Sequence, residues 1–240
     1  MPIVRFLLGL SLAPLCVAVT QTALSLLQAL PAPSQAGLLA SPLTALGGGF
    51  GLWLLVFFTL PRPVRSYVLA HELTHALWGA LMGATVLGLN VSRQRGSVTL
   101  SRSNFFVTLA PYFFPLYTVL AVLAYFGLSV FVDLHAYRLA WLGLVGLTWG
   151  FHFTFTVSSL LQHQTDIQAY GRLLSYTVIY AMNGLVICLG VVLVSPSASL
   201  EQLLALLRAN LIGTAVGAWH AGRRIGAWLH NKDGLQTLLR

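Results

Sequence analysis

Val68-Leu69-Ala70-His71-Glu72-Leu73-Thr74-His75-Ala76-Leu77-Trp78 is an apolar stretch interrupted by two histidines and one carboxylate. The polar residues read H-E-x-x-H. On an α-helix, positions four apart differ by about 40° in azimuth and roughly 6 Å along the axis. His71 and His75 therefore share one face, a turn apart, and can hold one Zn²⁺ through their imidazole nitrogens. Glu72 projects beside them, placed to take a proton from water at that metal. The chain has only five acidic residues, and this one is set among apolar neighbours. A carboxylate is costly in hydrocarbon and is normally kept there for a function or a partner. The stretch predicts a metal site on a membrane-embedded helix.

Composition agrees with the membrane setting. The 240 residues are 57% hydrophobic and only 8% charged, where a soluble domain carries about 25% charge. The expected fold is an all-α polytopic membrane protein with about six transmembrane helices, multi-pass and placed in the cell membrane. Thirteen basic residues against five acids give a net charge of +8. They sit mostly between apolar runs, which suits anionic headgroups and orientation in the bilayer. No basic stripe with interleaved aromatics points to nucleic acid. Cys16 and Cys188 fall in separate apolar runs and read as buried thiols, not as a disulfide framework or a metal clip.

Working outward from the motif, a single integral membrane domain is expected in three parts. Residues 1–60 supply two N-terminal spans, about 3–30 (possible kink at Pro14) and about 44–60 (opened by Gly47-Gly48-Gly49). The first is longer than the roughly 7–15 apolar residues of a signal core and lacks an A-x-A site, so it reads as a retained span. Pro31-Ala32-Pro33-Ser34-Gln35 begins an uncharged loop between the two. Residues 64–194 form the core around the motif. Within it, Pro61-Arg62-Pro63 precedes the helix at about 64–83, with Pro63 suited to its first turn. Val86 to Val91 and Ser97 to Leu100 alternate loosely around Ser92-Arg93-Gln94-Arg95-Gly96, a short membrane-associated β-hairpin signature. Read functionally, residues 97–100 offer a strand edge to an extended peptide; read plainly, they are a basic interhelical loop. Further spans follow at about 105–127, bent by Pro111 and Pro115, at about 138–161, and at about 172–194. Residues 200–240 form an amphipathic tail, helical to about His230. It carries two G-x-x-x-G spacings, at Gly213–Gly217 and Gly222–Gly226, that permit close helix contact. Asn231-Lys232-Asp233-Gly234 reads as a solvated turn.

Catalytic zinc usually takes three protein ligands and keeps one open position. Two come from the helix. Of the remaining acids, Asp133, Glu201 and Asp233 sit in exposed contexts, whereas Asp166 lies among polar residues between two spans. Asp166 is the preferred third ligand, set against an interfacial carboxylate paired with Arg172. His152, halfway along the 138–161 span, is the rival ligand, and otherwise a satisfied core histidine. His163 is a weaker rival.

H-E-x-x-H within a transmembrane helix, a following hairpin and a later Asp near a span resemble the site-2 protease family of intramembrane zinc metalloproteases. The resemblance covers about residues 64–194 and rests mainly on His71, Glu72 and His75. It implies a buried zinc held by two His and one Asp, a glutamate that activates water, and hydrolysis of peptide bonds in membrane-embedded substrates. The family's later Leu-Asp-Gly motif is replaced here by Gln164-Thr165-Asp166-Ile167-Gln168, and no peptide-binding accessory domain is evident, so the match is to a compact, divergent member. The expected activity is an intramembrane zinc metalloendopeptidase acting on membrane protein or peptide substrates. The alternative is a non-proteolytic membrane protein that binds or moves a divalent metal through His71, His75 and His152. Glu72 has no use beside such a site.

One conflict is built into the six-span reading. If every apolar run crosses the bilayer, the start of the motif helix and Asp166 fall on opposite sides. An inside N-terminus satisfies the positive-inside tendency for Arg5, Arg62, Arg65, Arg138 and the tail, and leaves Arg93, Arg95 and Arg102 outside.

Overall fold

The computed structural model describes residues 2–29, 41–92, 95–195 and 198–238. The loop at Pro31–Gln35 and the hairpin-tip residues Arg93 and Gln94 lie outside the described residues. The first apolar run is two helices, α1 (Pro2–Ser11) and α2 (Ala13–Gln28), parted at Leu12 because Pro14 occupies the first turn of the second. Next come α3 (Pro42–Thr59), capped by the Ser41 hydroxyl accepting from Thr44 N–H at 3.1 Å, and the motif helix α4 (Val64–Leu81). The hairpin is formed as expected, β1 (Val86–Val91) antiparallel to β2 (Gly96–Leu100), with a bulge at Leu87 between the Val86–Leu100 and Gly88–Thr99 pairs.

The remaining elements are α5 (Phe105–Leu109), a 3₁₀ turn (Ala110–Tyr112), α6 (Leu116–Ser129), and α7 (Arg138–Leu160) after a 3₁₀ turn at His135–Tyr137. They are followed by α8 (Thr165–Tyr170), α9 (Arg172–Val194) and α10 (Leu200–Leu238). Among the described residues, four helical stretches are long and apolar enough to cross a membrane: Pro2–Gln28, Pro42–Thr59, His135–Leu160 and Arg172–Val194. The Phe105–Tyr112 and Leu116–Ser129 segments make a fifth only if counted together, and they meet at 81°. The expected count of six is therefore reached by neither measure. The helix α4 is 18 residues long, but its histidines, Glu72 and Arg65 interrupt the apolar run.

Two packing units hold the frame. Helices α3 and α7 approach backbone to backbone, since a Cβ on Gly49 would overlap the Gly143 carbonyl and one on Gly146 the Leu46 carbonyl. Small residues at such positions let membrane helices pack closely. Above that contact, Trp53, Phe57, Phe151 and Phe155 form a buried aromatic cluster, and Trp53 Nε1 donates to Thr154 Oγ1 at 2.9 Å. Tyr67 of α4 stacks on Phe155 at 4.7 Å between centroids, which ties the motif helix to this frame. The second unit joins α2, α9 and the first half of α10 through Leu26, Cys188, Val191 and Leu203. Asn210 Nδ2 adds a hydrogen bond to Thr22 Oγ1 at 3.0 Å.

Two expectations for the tail are corrected. Asn231-Lys232-Asp233-Gly234 lies inside α10, which runs to Leu238, and not in a turn; the helix carries its local turn residues along. The spaced glycines Gly213, Gly217, Gly222 and Gly226 have no neighbour within 4 Å of a Cβ position, so they pack nothing within the described residues.

Candidate metal centre

The helix α4 presents His71 and His75 one turn apart, as the spacing requires. Their rings stand nearly perpendicular, with centroids 4.8 Å apart. Asp166 comes from α8, 91 residues beyond His75. Its Oδ2 lies 3.6 Å from His71 Nε2 and 3.6 Å from His75 Nε2. One ligand atom from each of the three residues falls within 4.8 Å of the others, a set able to hold a metal ion. Zinc bonds of about 2.0–2.1 Å in a tetrahedral arrangement separate ligand atoms by roughly 3.3 Å. The two 3.6 Å separations come near that value, and the third, up to 4.8 Å, would have to close by about 1.5 Å around such an ion.

Asp166 reaches α4 through the way α8 is held. The chain turns sharply after Tyr112, and α5 packs against α8 instead of leading a straight span away from it. Gly171, at φ +90°, makes the turn from α8 into α9; a side chain there would be strained. Buried Ser175 donates to the Ile167 carbonyl at 3.0 Å, and Arg5 Nη1 donates to the Ala169 carbonyl at 2.6 Å. Ile167 itself is buried with Leu109, Tyr112 and Ile179. The short helix is thus pinned at both ends, with Asp166 turned toward α4.

Each of the three residues has a further partner that fixes its orientation. His75 Nδ1 donates to the Val107 carbonyl at 2.8 Å, which leaves Nε2 as the lone-pair nitrogen facing Asp166. That carbonyl is placed by α5, whose first turn is capped by Asn104 Oδ1 accepting from Val107 N–H at 3.0 Å. Tyr67 donates its proton to Ser159 Oγ at 2.9 Å, so its oxygen is the acceptor for His71 Nδ1–H at 3.4 Å. Tyr112, fully buried, donates to Asp166 Oδ2 at 3.1 Å and sets its ring edge-on to His71. Burial alone would push the Asp166 carboxyl up. Hydrogen bonds and charge from His71 and His75 outweigh it and hold the group below the usual carboxylate range.

Glu72 is buried at 8% exposure. Among the described residues no basic side chain makes an ion pair with it; the ion pairs found are those of Asp166 with the two histidines. Its neighbour is the hairpin, where Gly96 of β2 lies directly against its side chain. The carboxylate is therefore sheltered from bulk solvent and, among the described residues, uncommitted to a cation.

The other candidates stand elsewhere. Among the described residues Asp166 makes its ion pairs with His71 and His75, and none with Arg172. His152 is outside the three-residue group and lines an adjoining cavity with His71. His163 pairs with Gln168 at 2.6 Å, and Asp133 caps its own loop by accepting from His135 N–H at 2.9 Å. Sequence reasoning passed over Tyr67, Tyr112 and Val107. A signal existed for Tyr67, which sits four residues before His71 on the same helix face. None existed for Tyr112 or Val107, whose roles depend on the path of the chain after the hairpin.

Comparison of the chain with protein-family models, with curated proteins and with solved structures finds no match.

Proposed function

We propose that the chain is a multi-pass integral membrane zinc endopeptidase of the site-2 type, hydrolysing peptide bonds in membrane-embedded substrates. The observation that carries this reading is the His71–His75–Asp166 cluster beside a buried, unpaired Glu72. In this reading α4 and the bent α5–α6 pair are embedded alongside the four long spans, which brings the membrane elements to six. His71, His75 and Asp166 would hold the metal. When bound, zinc supplies Lewis-acid polarisation of a carbonyl and brings the pKa of water down to about 7.

The chain's own groups do the proton work. Glu72 accepts a proton from the attacking water as its oxygen adds to the scissile carbonyl carbon. When the carbon–nitrogen bond breaks, Glu72 returns that proton to the leaving amine. A carbonyl in an intact helix is shielded and hydrogen-bonded, so the substrate must enter locally extended. The hairpin, seated on α4 beside Glu72, offers a strand edge for such a segment.

The test is Glu72→Gln. Because Glu72 is not among the three proposed ligands, the variant should keep zinc at the wild-type stoichiometry and lose cleavage of a membrane-embedded reporter. Cleavage at the wild-type rate by Glu72→Gln overturns the mechanism. Loss of zinc overturns the ligand assignment.

A further inference from the structure

Ser159 is not one of the three clustered residues, yet it stands behind two of them. It lies near the end of α7, buried at 4% exposure, and a buried hydroxyl requires partners. Ser159 Oγ accepts from the Tyr67 hydroxyl at 2.9 Å and also meets the hydroxyl of Tyr112. Tyr67 reaches His71 Nδ1 at 3.4 Å, and Tyr112 donates to Asp166 Oδ2 at 3.1 Å. A helix that supplies none of the three thereby links His71 to Asp166 along a path of three hydroxyls.

The same helix fixes the Tyr67 ring. Phe155 precedes Ser159 by four residues and so shares its face of α7. The Tyr67 ring lies flat on Phe155, with 7° between their planes, and its hydroxyl falls to Ser159. Proton direction then decides the state of His71. A tyrosine hydroxyl has one proton to donate. Among the described residues, the Tyr67 oxygen has two hydrogen-bond partners, Ser159 and His71 Nδ1. With its proton given to Ser159, it can only accept from His71. Nδ1 must then carry the ring proton, which leaves Nε2 as the lone-pair nitrogen, 3.6 Å from Asp166 Oδ2. Without Ser159 the Tyr67 proton turns to Nδ1. The ring then carries its own proton on Nε2, where the Asp166 carboxylate draws it and where it blocks a metal.

We propose that Ser159 is a positioning residue that sets the tautomer of His71: by accepting the Tyr67 proton it makes Nε2 the nitrogen open to a metal. Its own proton is left for the Tyr112 oxygen, whose proton goes to Asp166, so the donors run in one direction from His71 to Asp166. The tautomer follows from the hydrogen bonds alone. Its consequence for zinc rests on the metal-centre reading above.

Nitrogen–proton correlation NMR on histidine-labelled protein, purified in detergent without metal, reads which ring nitrogen of His71 carries the proton. The His71 signals are those lost in His71→Gln. The proton should sit on Nδ1 in wild type and in Ser159→Thr, which keeps a hydroxyl, and should move largely to Nε2 in Ser159→Ala. Tyr67→Phe, whose ring still rests on Phe155, should move it as well, because nothing then accepts from Nδ1. A proton kept on Nδ1 in Ser159→Ala or in Tyr67→Phe overturns the proposal, whether or not the protein binds zinc. Zinc affinity, measured by competition with a chelator, should fall about tenfold in Ser159→Ala at an unchanged melting temperature, the lower end for groups that orient a ligand from behind. It should return in Ser159→Thr. A moved proton with unchanged zinc affinity overturns the part of Ser159 at the metal. If wild type binds no zinc while Ser159→Ala still moves the proton, the action of Ser159 on His71 stands and the metal centre falls.

Discussion

Gly96 of the hairpin lies so close to Glu72 that a Cβ at that position would sit 2.7 Å from the carboxylate Oε1 and 2.7 Å from Val68 Cγ1. Gly96 needs no unusual backbone angle; what it supplies is the absence of a side chain. The strand can then rest on the Glu72 side chain and fix its position. From there β2 follows α4 to Gly79, against which Leu100 packs. The far end of the motif helix is tied as well. Gly83 takes φ +75°, and Arg102 Nη2 donates to the Met82 and Gly83 carbonyls at 3.1 and 2.7 Å.

Gly96→Ala should therefore displace either the strand or the Glu72 carboxylate. A shift near 1 Å in a reacting group can cost about 10²-fold in rate. The expected result is a large fall in cleavage with zinc content unchanged. Gly88→Ala is the control in the partner strand, because nothing lies within 4 Å of its Cβ position. Equal loss in both variants would mean that the hairpin is simply intolerant of alanine.

Tyr112→Phe isolates the hydroxyl on Asp166. The ring stays, so the buried core of Leu109, Ala110, Phe113 and Ile167 keeps its filling, while the 3.1 Å donor to Oδ2 is lost. Partners that orient a ligand from behind are worth about 10–100-fold in metal affinity. Zinc binding, measured by competition with a chelator, should weaken by that factor at an unchanged melting temperature. Unchanged affinity would leave Tyr112 as packing alone.

Much of this arrangement could be read from residues in order. The long apolar runs marked the helices closely, because hydrocarbon runs and helix length are local properties. H-E-x-x-H sets two histidines and a glutamate together on one helix for the same reason. Asp166 stands out among the four acids outside the motif, an argument that works only because carboxylates are so scarce in this chain. Pro111 and Pro115 announce a bend in the 105–127 run without stating its angle, so whether that run counts as one span is not legible from the residues. At 81° the chain folds back, and that fold brings α5 and α8 to α4. The Val107 carbonyl and the Tyr112 hydroxyl reach the site through this path, and no local pattern encodes it.

Asn104→Ala examines the longest of these supporting chains. Asn104 caps α5, α5 sets the Val107 carbonyl, and that carbonyl holds His75 Nδ1. Loss of an asparagine cap costs about 1 kcal/mol in stability. If the chain of contacts is as described, zinc affinity falls together with thermal stability. A stability loss with full zinc affinity would show that His75 holds its orientation without the cap.

Asp166→Ala addresses the third ligand. The protein purified in detergent should hold much less zinc than wild type, because two imidazoles alone make a weak site. Asp166→His should restore part of the metal, since imidazole is an accepted zinc ligand, though Tyr112 would lose its carboxylate acceptor. Full zinc occupancy in Asp166→Ala would mean that another group completes the site.

The last prediction concerns how an extended substrate is held. Ser101 N–H donates to the Thr85 carbonyl at 2.9 Å, and the Arg95 carbonyl accepts from Ser92 N–H at 2.8 Å. Both odd-numbered residues thus turn their hydrogen-bonding groups toward β1. Antiparallel strands alternate, so along β2 the Val98 N–H faces away from β1, whereas that of Thr99 faces it. Proline is tolerated where a strand's N–H is unpaired and disruptive where it serves the ladder. Val98→Pro should leave the hairpin and the zinc in place while removing one donor from the free edge. A single net hydrogen bond corresponds to about fivefold, and cleavage should fall by that order through KM. Thr99→Pro should instead loosen the hairpin and lower its protection from hydrogen exchange. If Val98→Pro cleaves a membrane-embedded reporter with wild-type KM, the substrate does not pair with β2, and the hairpin's task is confined to seating Glu72.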